Sequence, residues 1–165
     1  MNKYKRIFII GHMGAGRGLL AKALSEKLGW QFIDANFSLE RCIGRSLNEI
    51  LGKQGEASFH ECEAKILAHY ITKENIVVTT NDAIVTTEEN RKLLSTEFVV
   101  YLKVKTSIQL ERMKDRSALL PIIDQKAFLD KMHQDLDSLF ERVAKITIDS
   151  KSIDDDVKAI IQALN

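Results

Sequence analysis

One segment constrains this chain more than any other: Gly11-His12-Met13-Gly14-Ala15-Gly16-Arg17-Gly18, which holds four of the eight glycines in eight residues. It follows the continuous apolar run Ile7-Phe8-Ile9-Ile10, whose pattern suits a strand covered on both faces. It precedes Leu19, Leu20, Ala23, Leu24 and Leu28, spaced as one face of a helix that Gly29 can stop. A glycine loop between a buried strand and a helix turns backbone N–H groups inward, beside the positive end of the helix dipole. That is a device for holding phosphate. The pattern G-x-x-x-x-G-K-[ST] is met at Gly11 and Gly16. Arg17 stands where a lysine would reach the outer phosphates, and Gly18 where a hydroxyl would hold Mg²⁺. The expected phosphate cradle is Gly11, Gly14, Ala15, Gly16, Arg17 and Gly18. Arginine keeps the charge but not the shape of an ammonium, so retained binding with impaired transfer is expected. A glycine turn that merely closes strand onto helix is the plainer alternative.

The rest of the chain alternates in the same way. Strands are expected at Gln31–Asp34, Ile76–Thr79, Phe98–Leu102 and Ile146–Ile148, with helices near 56–72, 88–94, 107–113, 125–143 and 153–164. Such alternation implies βαβ units and a parallel sheet with helices on both faces. Two stretches interrupt it: 35–55, and 114–124 around Pro121, the single proline. Segments of this kind are commonly substrate lobes or lids. With 165 residues and a formal net charge of +1, one domain is expected, without broad affinity for nucleic acid or anionic lipid. Any anion site must be local. Cys42 and Cys62 form no metal-ligand spacing and read as free thiols. No apolar run approaches membrane-spanning length or a signal sequence, and a cytoplasmic location is expected.

Ile9-Ile10-Gly11-His12-Met13-Gly14-Ala15-Gly16 closely resembles the opening L-I-G-F-M-G-A-G-K-S of the shikimate kinase family. Phe32-Ile33-Asp34-Ala35-Asn36 is similar to its F-I-D-T-D. Gly44-Arg45-Ser46-Leu47-Asn48-Glu49-Ile50 is similar to G-x-S-I-x-E-I, and Gly55-Glu56-Ala57-Ser58-Phe59 to G-E-x-x-F-R. Glu89-Asn90-Arg91, Val100-Tyr101-Leu102 and Val143–Asp149 fall where the family places its later motifs. The resemblance implies an α/β, three-layer P-loop NTPase fold of the nucleoside monophosphate kinase type, a parallel sheet flanked by helices. It also implies a single domain over 1–165 with a substrate lobe at 35–62 and a lid at 113–125. ATP or ADP with Mg²⁺ is the implied cofactor set, and a monomer the implied state.

Carried over residue by residue, the resemblance marks several departures. Asp34 matches the carboxylate that orients Mg²⁺-bound water, and Arg112 the arginine that packs against adenine. The substrate-hydroxyl aspartate falls at Asn36, the first substrate arginine at His60, the glycine triplet at Asn81-Asp82-Ala83 and the second arginine near Leu136. The lid arginine falls at Leu120. Arg142 and Arg116 are candidate replacements. Each charge-assisted arginine–carboxylate contact is worth about 1.5–3 kcal/mol, so losing both weakens sugar-acid binding by a factor of about 10² to 10⁴. The expected catalytic residues are Arg17 and Asp34, with Asp34 the metal residue. Asn36, His60, Asn81 and Asp82 would line the substrate pocket, with Asp82 opposing an anionic ligand. A nucleotide-binding protein with reduced activity, regulatory or acting on a protein partner, is the leading reading. A kinase for another hydroxyl compound, and an active shikimate kinase with relocated residues, are the alternatives.

Four further expectations concern residues outside these motifs. Asp154-Asp155-Asp156 should supply acid to the first turn of the last helix rather than bind metal. His69 and His133 should be surface or boundary residues without i, i+4 partners. Cys62 should be a helical residue near the substrate pocket, and Trp30 and Phe32 should be core.

Overall fold

The structure, a computed structural model, describes residues 3–35, 53–114 and 124–165, the side chains of 53–58 excepted. Five strands, β1 (Arg6–Ile10), β2 (Gln31–Asp34), β3 (Ile76–Thr79), β4 (Phe98–Lys103) and β5 (Ile146–Asp149), form one sheet in the order β2-β3-β1-β4-β5. All four pairings are parallel. The helices are α1 (Arg17–Leu28), α2 (Lys53–Ile71), α3 (Glu88–Leu94), α4 (Thr106–Met113), α5 (Gln125–Val143) and α6 (Ile153–Leu164), with a 3₁₀ turn at Asp82–Val85. The element boundaries expected from periodicity hold to within about three residues.

The pleat of β1 divides the core. Ile7 and Ile9 point to a layer closed by Leu20, Ala21 and Leu24 of α1 and by Val157, Ile160 and Leu164 of α6. Phe8 and Ile10 point to the opposite layer, closed by Leu67 of α2, Leu94 of α3 and Leu136, Phe140 and Val143 of α5. Strands buried on both faces have no polar side to display, which is why β1, β3 and β4 read as unbroken apolar runs. Strand β2 lies at the sheet edge, and there one expectation fails. Phe32 is 36% exposed, whereas Trp30 is half-buried against the first layer. An edge strand has a neighbour on one side only, so its middle residues stay open.

The acid-rich start of α6 behaves as expected. Ser152 caps the helix by accepting from Asp155 N, and the three aspartates occupy its first turn. Asp156 is buried there and accepts from Ser150 Oγ and Lys151 N. Among the described residues no helix is long and apolar enough to cross a membrane.

Candidate phosphate-loop site

Parallel strands end together at one edge of the sheet, and the crevice beyond their carboxyl ends is where such folds bind ligands. Strand β1 is central and runs directly into Gly11. Gly14 and Gly16 adopt φ of 76° and 92°, left-handed values that glycine reaches without strain. Gly16 is the N-cap of α1, so the loop opens onto the N-terminus of that helix. A Cβ on Gly11 would lie 2.7 Å from Leu102 O, so β4 approaches too closely for any side chain there. The loop lines an open cavity of about 850 Å³ together with Arg112, Met113, Ser150 and Ile153. That volume is within the range of small-molecule sites.

Arg112 does more than border the cavity. Its Nη1 donates to Gly14 O and Ala15 O, both at 2.9 Å, tying α4 to the crest of the loop. Arg17 lines the same cavity, and its Nη1 donates to Thr80 O at 2.5 Å, just beyond β3. Burial lowers its pKa from the usual value, while Asp82 and Asp34 hold it charged. Asp82 therefore serves as a counter-charge to Arg17. Gly18 is exposed and supplies no side-chain oxygen. Asp34 is exposed at the end of β2, in register with Thr79. The glycine cradle thus fits a phosphate group.

The surroundings of Glu63 are rich in oxygen atoms. Glu63 on α2 is buried, and its Oε1 accepts from Asn90 Nδ2 at 2.7 Å, while His60 Nδ1 stands 3.5 Å away. Burial pushes the Glu63 carboxyl up, against the lowering influence of Asn81, His60 and Asn90. Among the described residues, Glu63 Oε2, Asn81 Oδ1, Asp82 Oδ2 and Asn90 Oδ1 are buried without hydrogen-bond partners. Glu63, Asn81, Thr80 and Ala35 border a cavity of about 20 Å³, room for one water-sized group. Leu136 is buried in the second core layer, and Arg142 is exposed on the outer face of α5. Asn36, Arg116 and Leu120 lie outside the described residues, as does most of the expected lobe and lid.

One constellation escaped the sequence reading. His133 is not a solitary boundary residue: its Nδ1 lies 2.9 and 3.1 Å from the two oxygens of Asp137, its i, i+4 neighbour. His12 of the loop, 1% exposed, places Nε2 2.5 Å from Asp137 Oδ1, and Tyr101 OH donates to the same oxygen at 3.0 Å. Gln109 of α4 closes the set, accepting at Oε1 from His133 Nε2 and donating from Nε2 to Met13 O. Burial lowers the His12 pKa more than Asp137 raises it. Burial works to raise Asp137, but the bonds from His12, His133 and Tyr101 together bring it below its ordinary value. Only the spacing of His133 and Asp137 was visible in the sequence. Cys62 is half-buried on α2, a helical position as expected, and His69 is exposed as expected.

Comparison with known proteins agrees with this geometry. The family model described as Shikimate kinase matches residues 13–165. A shikimate kinase of Halorhodospira halophila is 34% identical over 148 residues, covering 88% of this chain and 84% of its own. The solved shikimate kinase from Acinetobacter baumannii in complex with shikimate superposes with a TM-score of 0.87 at 28% identity, covering 98% of this chain and 93% of that one. The deoxyadenosine kinase from M. mycoides, at 17% identity and a TM-score of 0.65 (97% of this chain, 98% of its own), shares the P-loop kinase fold alone. A parallel sheet, a glycine loop at the end of its central strand and a family match along nearly the whole sequence all agree: the chain belongs to the shikimate kinase family.

Proposed function

We propose that this protein binds a nucleotide at residues 11–18 and has lost, or largely lost, the capacity to phosphorylate shikimate. The observation that carries this reading is the supply of fixed positive charge. Arg17, the loop's one cation, is bonded to Thr80 O and set against Asp82 and Asp34. Phosphoryl transfer depends on cations placed around the outer phosphate and on acceptor positioning. Leu136, in place of a substrate arginine, is built into the core.

Family membership implies ATP or ADP, ordinarily with Mg²⁺. Gly11, Gly14, Ala15, Gly16 and Gly18 would hold the phosphates through the loop backbone and helix end, Arg112 would border the nucleotide, and Asp34 would orient a weakened Mg²⁺ site. The nucleotide would supply the transferable phosphoryl group, and Mg²⁺ would offset its charge. Asn36, His60, Asn81 and Asp82 would face the acceptor. Residues 35–62 would form the substrate lobe and 113–125 the lid of a cytoplasmic monomer with a regulatory role or a protein partner.

Calorimetric titration with ATP, with and without Mg²⁺, tests the binding half. No heat up to millimolar nucleotide would remove it. A second reading has its own support: the unpartnered oxygens of Glu63, Asn81, Asp82 and Asn90 would accept from an ammonium or hydroxyl group. That would make the protein a kinase for a neutral or cationic hydroxyl compound, detectable by ADP release over a panel of amino alcohols and polyols. The names of the relatives favour a third, an active shikimate kinase with relocated residues, and shikimate-dependent ADP release decides it.

A further inference from the structure

The geometry points to a divalent transition-metal site formed by His12 Nε2, His133 Nδ1 and the Asp137 carboxylate, joining the phosphate loop to α5. These donor atoms all lie within 4.8 Å of one another. They come from positions 12, 133 and 137, so the fold alone assembles them.

Hydrogen bonding fixes how one ring is oriented. Gln109 Nε2 donates to Met13 O, so its Oε1 is the atom facing His133 Nε2 at 2.7 Å. An amide oxygen only accepts, which puts a proton on His133 Nε2. In the neutral ring Nδ1 is then a bare lone pair, pointed at two carboxylate oxygens 2.9 and 3.1 Å away. Two sets of lone pairs at that distance need a cation between them, either a second ring proton or a metal ion. A ligating imidazole whose other N–H is held by an oriented acceptor is the usual arrangement at metal centres.

His12 supplies the second nitrogen. Its Nε2 is directed at the same carboxylate, and the two imidazole centroids lie 4.0 Å apart. Its Nδ1 has no partner in either tautomer, so it does not choose between proton and metal. Asp137 and Asp82 are among the charges acting on His12, as is the other imidazole. A dication would enter a locally acidic surrounding. Ring rotations that spread the donors would be needed to seat an ion at the 2.0–2.2 Å of zinc ligation.

Two imidazoles and one carboxylate select Zn²⁺, Co²⁺ or Ni²⁺ over Mg²⁺, which prefers oxygen donors and keeps its waters. The site is therefore chemically separate from any nucleotide-bound Mg²⁺. His133 is 16% and Asp137 34% exposed at the side chain, which leaves an entry path and room for a water ligand.

The test is Co²⁺ and Zn²⁺ binding to the full chain, by visible absorption for cobalt and by chelator competition for zinc. One equivalent should bind, with a cobalt spectrum of nitrogen and oxygen ligands, undisturbed by a large excess of Mg²⁺. Affinity should fall at least tenfold in His133→Gln and in Asp137→Asn, and should persist in Cys62→Ser. Circular dichroism melts confirm that each variant is folded. If His133→Gln is unfolded, X-ray absorption on the zinc-loaded wild type decides instead, the expected shell being imidazole and oxygen. Unchanged affinity in folded His133→Gln, displacement by Mg²⁺, sulfur in the zinc shell, or no binding at 100 µM metal would each overturn the assignment and leave the cluster a hydrogen-bonded strut.

Discussion

Replacing Gly18 by serine probes the loop with little structural disturbance. Gly18 is the second residue of α1, its φ lies outside the left-handed range, and a Cβ placed there meets nothing within 4 Å. Glycine costs a helix about 1 kcal/mol relative to alanine and serine about half that, so Gly18→Ser should gain roughly 0.3–0.5 kcal/mol. For a chain of this length that is a rise of about 1–2 °C in Tm. The hydroxyl would also restore an oxygen where this fold ordinarily holds Mg²⁺. One charge-assisted contact is worth about 1.5–3 kcal/mol, which corresponds to about a tenfold or greater gain in Mg²⁺-dependent nucleotide affinity. Urea denaturation measures the first effect, and calorimetric ATP titration with and without Mg²⁺ the second. In the wild type the two titrations should nearly coincide; in the variant they should separate. A loss of stability would refute the description of the helix start. A preserved fold with no Mg²⁺-dependent gain would refute the placement of position 18 beside the metal.

Other perturbations test other parts of the account. Arg112→Ala removes both bonds to the loop crest and should weaken ATP binding about tenfold, while unfolding free energy changes by less than about 1 kcal/mol because the side chain is exposed. Glu63 has a folded pKa raised above its unfolded value, so its contribution is fully present at pH below about 4.5 and is lost as pH rises through the folded pKa. Glu63→Gln should therefore stabilise the protein at pH 7 and change little at pH 4, read from urea midpoints at both values. Leu136→Arg, near where the resemblance puts a second arginine, places an unpaired cation in the second core layer and should cost about 3 kcal/mol or more in thermal or urea melts.

Much of the architecture was readable because its causes are local. Ile7–Ile10 and Phe98–Leu102 bury both faces, and runs without polar alternation express that directly. The boundaries of α3, α5 and α6 follow from periodicity and caps such as Thr87, Asp124 and Ser152. Strand order is a different matter. Nothing in Gln31–Asp34 says that β2 is an edge, and so the exposure of Phe32 was misjudged. The site was half legible for the same reason. Glycine spacing marks the loop, but Arg17 reaches Thr80 across 63 positions, and His12 meets Asp137 across 125. Contacts of that span are decided by topology. The chemistry they create, an occupied arginine and a histidine–aspartate cluster, was therefore hidden from composition and spacing.

On the proposed reading, this loop retains a nucleotide but, among the described residues, lacks the placed cations that move a phosphoryl group to shikimate. Shikimate-dependent ADP release by the purified wild-type chain, assayed beside the Halorhodospira halophila relative at saturating ATP and Mg²⁺, measures that most directly. The rate should be lower by a factor of about 10² or more, with ATP binding still detectable by calorimetry. A rate comparable to that of the relative would contradict it.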